Sequence, residues 1–181
     1  DAGMPEISMS VNLSARQFRA PGLVQTILGV LAETRLEARF LEMEITESML
    51  MHDPEGAITV LDELEKHGIT FALDDFGTGY SSLNYLKRFP IHKLKIDQSF
   101  VRNVTTDPDD AAITNAVIEL SHGLELKVIA EGVETEAQRA FLQAHQCDEM
   151  QGYLFSRPLP AEAMRGLLIA NRQSLKASGA T

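Results

Sequence analysis

Phe71-Ala-Leu-Asp-Asp-Phe-Gly-Thr-Gly-Tyr-Ser-Ser-Leu83 is the stretch on which the reading of the chain turns. Phe71, Ala72 and Leu73 read as the end of a buried strand, and the carboxylates of Asp74 and Asp75 stand where that strand stops. A loop follows at once. Gly77 and Gly79 permit backbone angles that other residues avoid, and Ser81 or Ser82 can cap the helix that Leu83 and Leu86 suggest. In α/β proteins the carboxyl ends of strands, with the loops after them, are where chemistry is usually done.

Asp75-Phe76-Gly77 also spells the metal-binding triplet of protein kinases. Its context excludes that reading: no His-Arg-Asp loop precedes it, and no Gly-rich loop with a following strand lysine opens the chain. The 181 residues, 44% hydrophobic and 23% charged, make one ordinary globular domain with a substantial core. A formal net charge of -10 argues against a nonspecific surface for DNA or for anionic membranes, which needs clustered Lys and Arg. Any phosphate-bearing ligand must then meet a local site. The single Cys147 excludes an intrachain disulfide, and no signal-like or membrane-length apolar run is present, so a reducing cytoplasm is the expected home.

Outward from the central stretch, strand and helix signals alternate with little between them. Met9-Ser-Val-Asn-Leu13 and Leu41-Glu-Met-Glu-Ile45 alternate with period two, the second placing Glu42, Glu44 and Thr46 on one face. Ile91-His-Lys-Leu-Lys-Ile-Asp97 repeats the pattern, with Lys93, Lys95 and Asp97 together. Leu126 to Ala130 is a strand ending at Glu131-Gly-Val-Glu134, and a short strand near Glu149-Met150 leads to Gln151. Helices are expected between them: Leu23 to Leu31, one opened by Asp53-Pro54, one by Asp107-Pro108, one behind a Thr135/Gln138 capping box, and one from Ala163 to Ala170. The domain is expected over residues 1–170, with residues 171–181 a polar, fraying tail.

Successive βα units predict a parallel sheet, and the two-faced strands choose its form. An open doubly wound sheet is covered on both faces and needs nearly apolar strands. A TIM-type (β/α) barrel instead tolerates polar residues lining its interior near the mouth. Eight-stranded barrels take about 250 residues; about six strands are readable here, so roughly two are expected to be missing from the amino-terminal side.

That mouth would collect Asn12, Glu44, Asp74, Asp75, Lys95, Asp97, Glu131 and Gln151. Two carboxylates about 5 Å apart repel by roughly 3 kcal/mol even at an effective dielectric of 20, so the cluster should take up protons or cations. All its donors are hard oxygens, which favours Mg²⁺ or Mn²⁺ over Zn²⁺ and leaves Ca²⁺ open. Such a site suits phosphodiester hydrolysis. Lys95 then either orients water and balances phosphate charge or pairs with Asp97, and Glu131 either ligates metal or positions water. Phe18, Tyr80 and Tyr153 are candidate base-stacking aromatics. An aldolase-type Schiff base at Lys95 would need an apolar pocket, and its neighbours are acidic.

Val11-Asn-Leu-Ser-Ala-Arg-Gln-Phe18, Glu44-Ile-Thr-Glu47, Asp74-Asp-Phe-Gly-Thr-Gly-Tyr-Ser-Ser82, Lys93-Leu-Lys-Ile-Asp97, Ile129-Ala-Glu-Gly-Val-Glu134 and Gln151-Gly-Tyr-Leu-Phe-Ser156 resemble, in order and spacing, the motifs of bacterial EAL-domain cyclic di-GMP phosphodiesterases. The resemblance implies a modified barrel with one antiparallel strand, hydrolysing cyclic di-GMP to linear pGpG at a site for two Mg²⁺ or Mn²⁺ ions, with Ca²⁺ inhibitory. By position, Asn12, Glu44 and Asp74 match metal ligands and Asp75 the second-metal aspartate. Lys95 and Glu131 match the water-activating residues, Glu47 the acid that holds the Asp75–Ser82 loop, and Glu134 and Gln151 supporting residues. The resemblance also implies a homodimer joined to sensory or GGDEF domains that can anchor the parent in a membrane. The Glu-Ala-Leu signature, upstream of Asn12 in the family, is absent from this chain, so a cyclic di-GMP receptor without catalysis is the alternative.

Overall fold

The computed structural model describes residues 6–77 and 83–177, with side chains through Ala170. Six strands form one sheet in chain order: β1 Met9–Asn12, β2 Leu41–Thr46, β3 Thr70–Phe76, β4 Lys93–Ile96, β5 Lys127–Ala130 and β6 Glu149–Met150. Every described pairing is parallel. The antiparallel strand implied by the family resemblance is therefore not among the described strands. Parallel neighbours require crossovers, and helices supply them: α1 Ala15–Phe18 and α2 Leu23–Thr34, α3 Glu47–His52 and α4 Pro54–Glu65, α5 Leu83–Leu86, α6 Gln98–Arg102 and α7 Pro108–Gly123, and α8 Glu136–Ala144. A last helix, α9, spans Ala161–Ala177.

Local chemistry sets the helix starts. Asp53 accepts the Gly56 N–H with Pro54 in the first turn, and Asp107 accepts the Asp109 and Asp110 N–H groups with Pro108 likewise placed. Thr135 and Gln138 form the expected capping box; Ser14 and Gln17 form a second one that opens α1. Two boundaries differ from expectation. Helix α3 begins at Glu47 with no loop after β2, and α9 continues to Ala177, past the Ala170 boundary read from its polar composition. Gly79, Tyr80, Ser81 and Ser82, singled out in the sequence, lie outside the described residues.

Period two sorts the strands between two environments. Met43, Ile45, Phe71, Leu73, Leu94, Ile96, Val128 and Ala130 are buried with Leu50, Leu61, Leu64, Val101, Ile118 and Leu142 of the helices. The opposite face is concave and charged: Lys93 of β4 reaches both Glu42 of β2 and Glu149 of β6, strands that share no backbone pairing with it. The sheet is thus curled like part of a barrel wall, with β1 and β6 at its edges. At the β1 edge Met9 and Val11 are 55% and 44% exposed.

Candidate active site

The carboxyl ends of β2 to β5 converge on one ammonium group. Lys95 Nζ lies 2.7 Å from Glu44 Oε2, 3.1 Å from Asp74 Oδ1 and 2.7 Å from Glu131 Oε1. A lysine has three N–H donors, and three carboxylates from three other segments meet them. The side chain is only 4% exposed. Of the two roles read for Lys95, pairing with Asp97 is not what the structure shows: Asp97 caps α6, its Oδ1 accepting the Ser99 N–H at 2.9 Å. A carboxylate at that turn gains more from an unpaired helix N–H than from a lysine already surrounded.

Adjacent residues of a regular strand point to opposite faces, so Asp74 and Asp75 could not both serve one site without a break in β3. The break is present. The β3–β4 register shifts between Leu73 and Phe76, and Asp75 has φ of 56°, in the left-handed region that Asp tolerates better than most residues. Asp74 Oδ1 accepts the Asp75 N–H at 3.1 Å, which holds the turn. Gly77 follows with φ of 97°, a conformation that favours glycine, and a Cβ there would press on the Phe100 ring at 3.2 Å.

The cluster holds more carboxylate than the lysine can compensate. Burial raises the Glu131 pKa above its ordinary range, with Asp74 and Glu44 adding to the effect and Lys95 opposing it. Asp75 is raised for the same reasons, desolvation first, then the charges of Asp74 and Asp97. For Lys95, desolvation favours the neutral amine, but hydrogen bonds to Glu131 and Glu44 outweigh it and hold the group charged. Among the described residues no three His, Cys, Asp or Glu side chains stand at metal-holding spacing; the oxygens converge on the ammonium instead. Their chemistry nonetheless fits a hard divalent ion: acidic oxygens in excess of the available positive charge, two of them already paying for ionisation in raised pKa.

The other expected residues are placed as follows. Asn12 ends β1 in register with Glu44. Glu47, the first residue of α3, is buried, and among the described residues its Oε2 has no hydrogen-bond partner. Glu134 and Gln151 do not touch Lys95; with Gln98, Glu131, Gly132, Gly152 and Tyr153 they line an adjoining hollow of about 240 Å³. Phe18 packs against the core, while Tyr153 is exposed with the Arg157 guanidinium 4.5 Å from its ring centre. Gln98 of the hollow had no distinguishing signal in the sequence beyond following Asp97.

A curled parallel sheet with an acid–lysine cluster at its carboxyl mouth defines the (β/α)-barrel class. Within it, a family model described as "EAL domain" matches residues 1–158, and the chain belongs to that family. The bifunctional diguanylate cyclase/cyclic di-GMP phosphodiesterase MucR of Pseudomonas aeruginosa is 46% identical over 164 residues, covering 91% of this chain and 24% of MucR. The cyclic di-GMP phosphodiesterase NbdA of the same organism is 43% identical over 171 residues, covering 94% and 22%. The chain thus spans about a quarter of the length of these relatives. The solved PaMucR phosphodiesterase in complex with c-di-GMP has a TM-score of 0.84 at 47% identity, over 87% of this chain and 64% of that one. Klebsiella pneumoniae BlrP1 with manganese and cy-diGMP has a TM-score of 0.77 at 32% identity, over 84% and 39%; it has also been solved with calcium.

Proposed function

We infer that this chain carries the hydrolytic site of a cyclic di-GMP phosphodiesterase, converting the cyclic dinucleotide to linear pGpG with Mg²⁺ or Mn²⁺. The observation that carries the reading is the Lys95 ammonium held by Glu44, Asp74 and Glu131 at the strand ends. Asn12, Glu44, Asp74 and Asp75 are the residues that would hold the metal. Bound there, it would supply Lewis-acid neutralisation of the phosphate and a more acidic water.

The chain's own groups divide the remaining work. In hydrolysis a water oxygen bonds to phosphorus, the bond from phosphorus to the 3′ oxygen breaks, and that oxygen takes up a proton. In the metal-free site the surrounding carboxylates hold Lys95 charged, and its assigned part is that of a donor that orients water or phosphate oxygen and not that of the base. Glu131, a carboxylate whose proton affinity burial has raised, is the group suited to accept the water proton. Glu47 is proposed to hold the loop after Asp75, Asp97 to add to the field on Asp75, and Glu134 and Gln151 to line the substrate's approach. Ca²⁺, larger and less demanding in geometry, is proposed to inhibit. A homodimer, an amino-terminal sensory or GGDEF partner domain and a cytoplasmic site remain proposals; no described helix is long and apolar enough to cross a membrane.

The test is chromatographic: incubate the chain with cyclic di-GMP and Mn²⁺ or Mg²⁺, with an EDTA control, and separate the products. Metal-dependent pGpG that disappears in Glu44→Ala is the expected result. Tight binding without product would refute hydrolysis and leave a receptor.

A further inference from the structure

Below the Lys95 cluster lies a second charged layer that the proposed reaction leaves unused. Lys93 Nζ stands 2.7 Å from Glu149 Oε2 and 3.1 Å from Glu42 Oε2, and the Ser10 hydroxyl donates to Glu42 Oε1 at 2.7 Å. The Lys93 and Glu42 side chains are 13% and 11% exposed. Glu149 has one further cation nearby, the exposed Lys127, at 3.8 Å. Interior layers of parallel barrels are ordinarily branched apolar side chains drawn from alternate strands. Here the alternate strands β2, β4 and β6 contribute acid, base and acid.

Stability does not account for that choice. Desolvation offsets most of the attraction in a buried ion pair, and apolar side chains of similar volume serve as well or better. Position does account for it. Same-face residues are two apart along a strand, so Ser10, Glu42 and Lys93 stand one step below Asn12, Glu44 and Lys95, and Glu149 of β6 stands two residues before Gln151, just past the strand's end. Strands β2, β4 and β6 share no backbone hydrogen bonds with one another. The lower ion pairs are a direct tie among them, and the residues above inherit the spacing that the tie sets.

We propose that Glu42, Lys93 and Glu149 form a positioning layer that holds Glu44, Lys95 and Gln151 at their working separation. The catalytic part of this statement rests on the phosphodiesterase reading. These residues touch no reacting atom; they act through the strands.

In the full chain, Lys93→Met removes the charge and keeps most of the stem. Turnover of cyclic di-GMP with Mn²⁺ is expected to lose about 10- to 100-fold in kcat with KM little changed, the mark of misplaced catalytic groups and not of lost binding. Lys93→Arg, whose guanidinium can bridge two carboxylates, is expected to recover most of the loss. A second readout needs no turnover: in EDTA, the Lys95 ammonium protons, sheltered by three carboxylates, should give an ¹⁵N-resolved NMR signal that shifts or broadens in Lys93→Met. If the layer only stabilises the fold, Lys93→Met lowers Tm while kcat and the Lys95 signal stay at wild-type values, and that overturns the proposal. If Lys93→Met does not fold, the triple variant Glu42→Gln, Lys93→Met, Glu149→Gln strands no charge; a kcat loss supports the layer's role and wild-type kcat overturns it. If the unmodified chain turns over no cyclic di-GMP, the functional reading fails separately, and the Lys95 signal alone decides: no change in Lys93→Met overturns the layer.

Discussion

Replacing Lys95 by Met should convert the site from its own counter-ion's host into a cluster of repelling carboxylates. At an effective dielectric of 20, each contact at 2.7 Å carries about 6 kcal/mol of gross attraction. The partner oxygens, each within 3.1 Å of the same nitrogen, can be no more than about 6 Å apart, so each pair repels by about 3 kcal/mol or more. Most of the gross attraction is offset by desolvation, and the net penalty for stranding buried charge is about 3–5 kcal/mol. At about 2–4 °C per kcal/mol for a domain of this size, Tm should fall by about 10 °C in EDTA at pH 7.5. A lysine held above its ordinary pKa contributes its stabilisation fully at every pH below about 10.4, the unfolded value, and loses it only above. Any relief in the variant at pH 5 must therefore come from its carboxylates taking up protons. The measurement is thermal unfolding of both proteins at pH 7.5 and pH 5, with EDTA and with Mn²⁺. The Tm deficit should shrink at pH 5 and in Mn²⁺; a deficit under about 2 °C, or one unchanged by acid and by metal, would refute the electrostatic account.

Three further outcomes are expected. Asp75→Asn should raise Tm in EDTA at pH 7.5 while lowering turnover: the Asp75 pKa is raised from 3.8, so its stabilising share is present below that value and lost as pH rises through the folded one. The gain should vanish near pH 3, and a lower Tm at pH 7.5 would contradict it. Gly152→Ala should cost about 3 kcal/mol and disturb the hollow, because its Cβ would overlap the Val133 backbone N, C and O atoms; a crystal structure with Gln151 and Tyr153 unmoved would count against this. Cys147, its thiol pushed up to about 11 by burial, should resist a disulfide reagent at pH 8 until urea unfolds the protein, and rapid native labelling would show the site to be open.

The strands and most helix starts were legible because they rest on local rules. Glu42/Glu44 and Lys93/Lys95 announce one polar face by their spacing alone, and Asp-Pro at 53–54 and 107–108 caps a helix wherever it occurs. The partners of Lys95 were not legible, since which carboxylates meet it depends on how far the sheet curls. Asp97 sits on the predicted face yet turns to cap α6, a competition between neighbours that period two does not register. Helix α9 runs past Ala170 because a polar composition is compatible with a helix as well as with coil. Glu149 belongs to the lower layer through the same two-residue step that links Lys93 to Lys95, but a two-residue strand is too short to display a period.

The break in β3 ties the number of residues in the aspartate pair to the orientation of the chain beyond it. Leu73 and Phe76, three apart, are both buried, although an odd step in an unbroken strand would send them to opposite sides. The pair acts as a parity change. Deleting either aspartate would remove the extra residue: Leu73 and Phe76 would then stand two apart and share a side along an unbroken strand, with one carboxylate where two had been. The extra residue therefore serves the site and not the sheet, and an in-frame deletion of one aspartate should leave Phe76 in the core while costing the mouth a carboxylate.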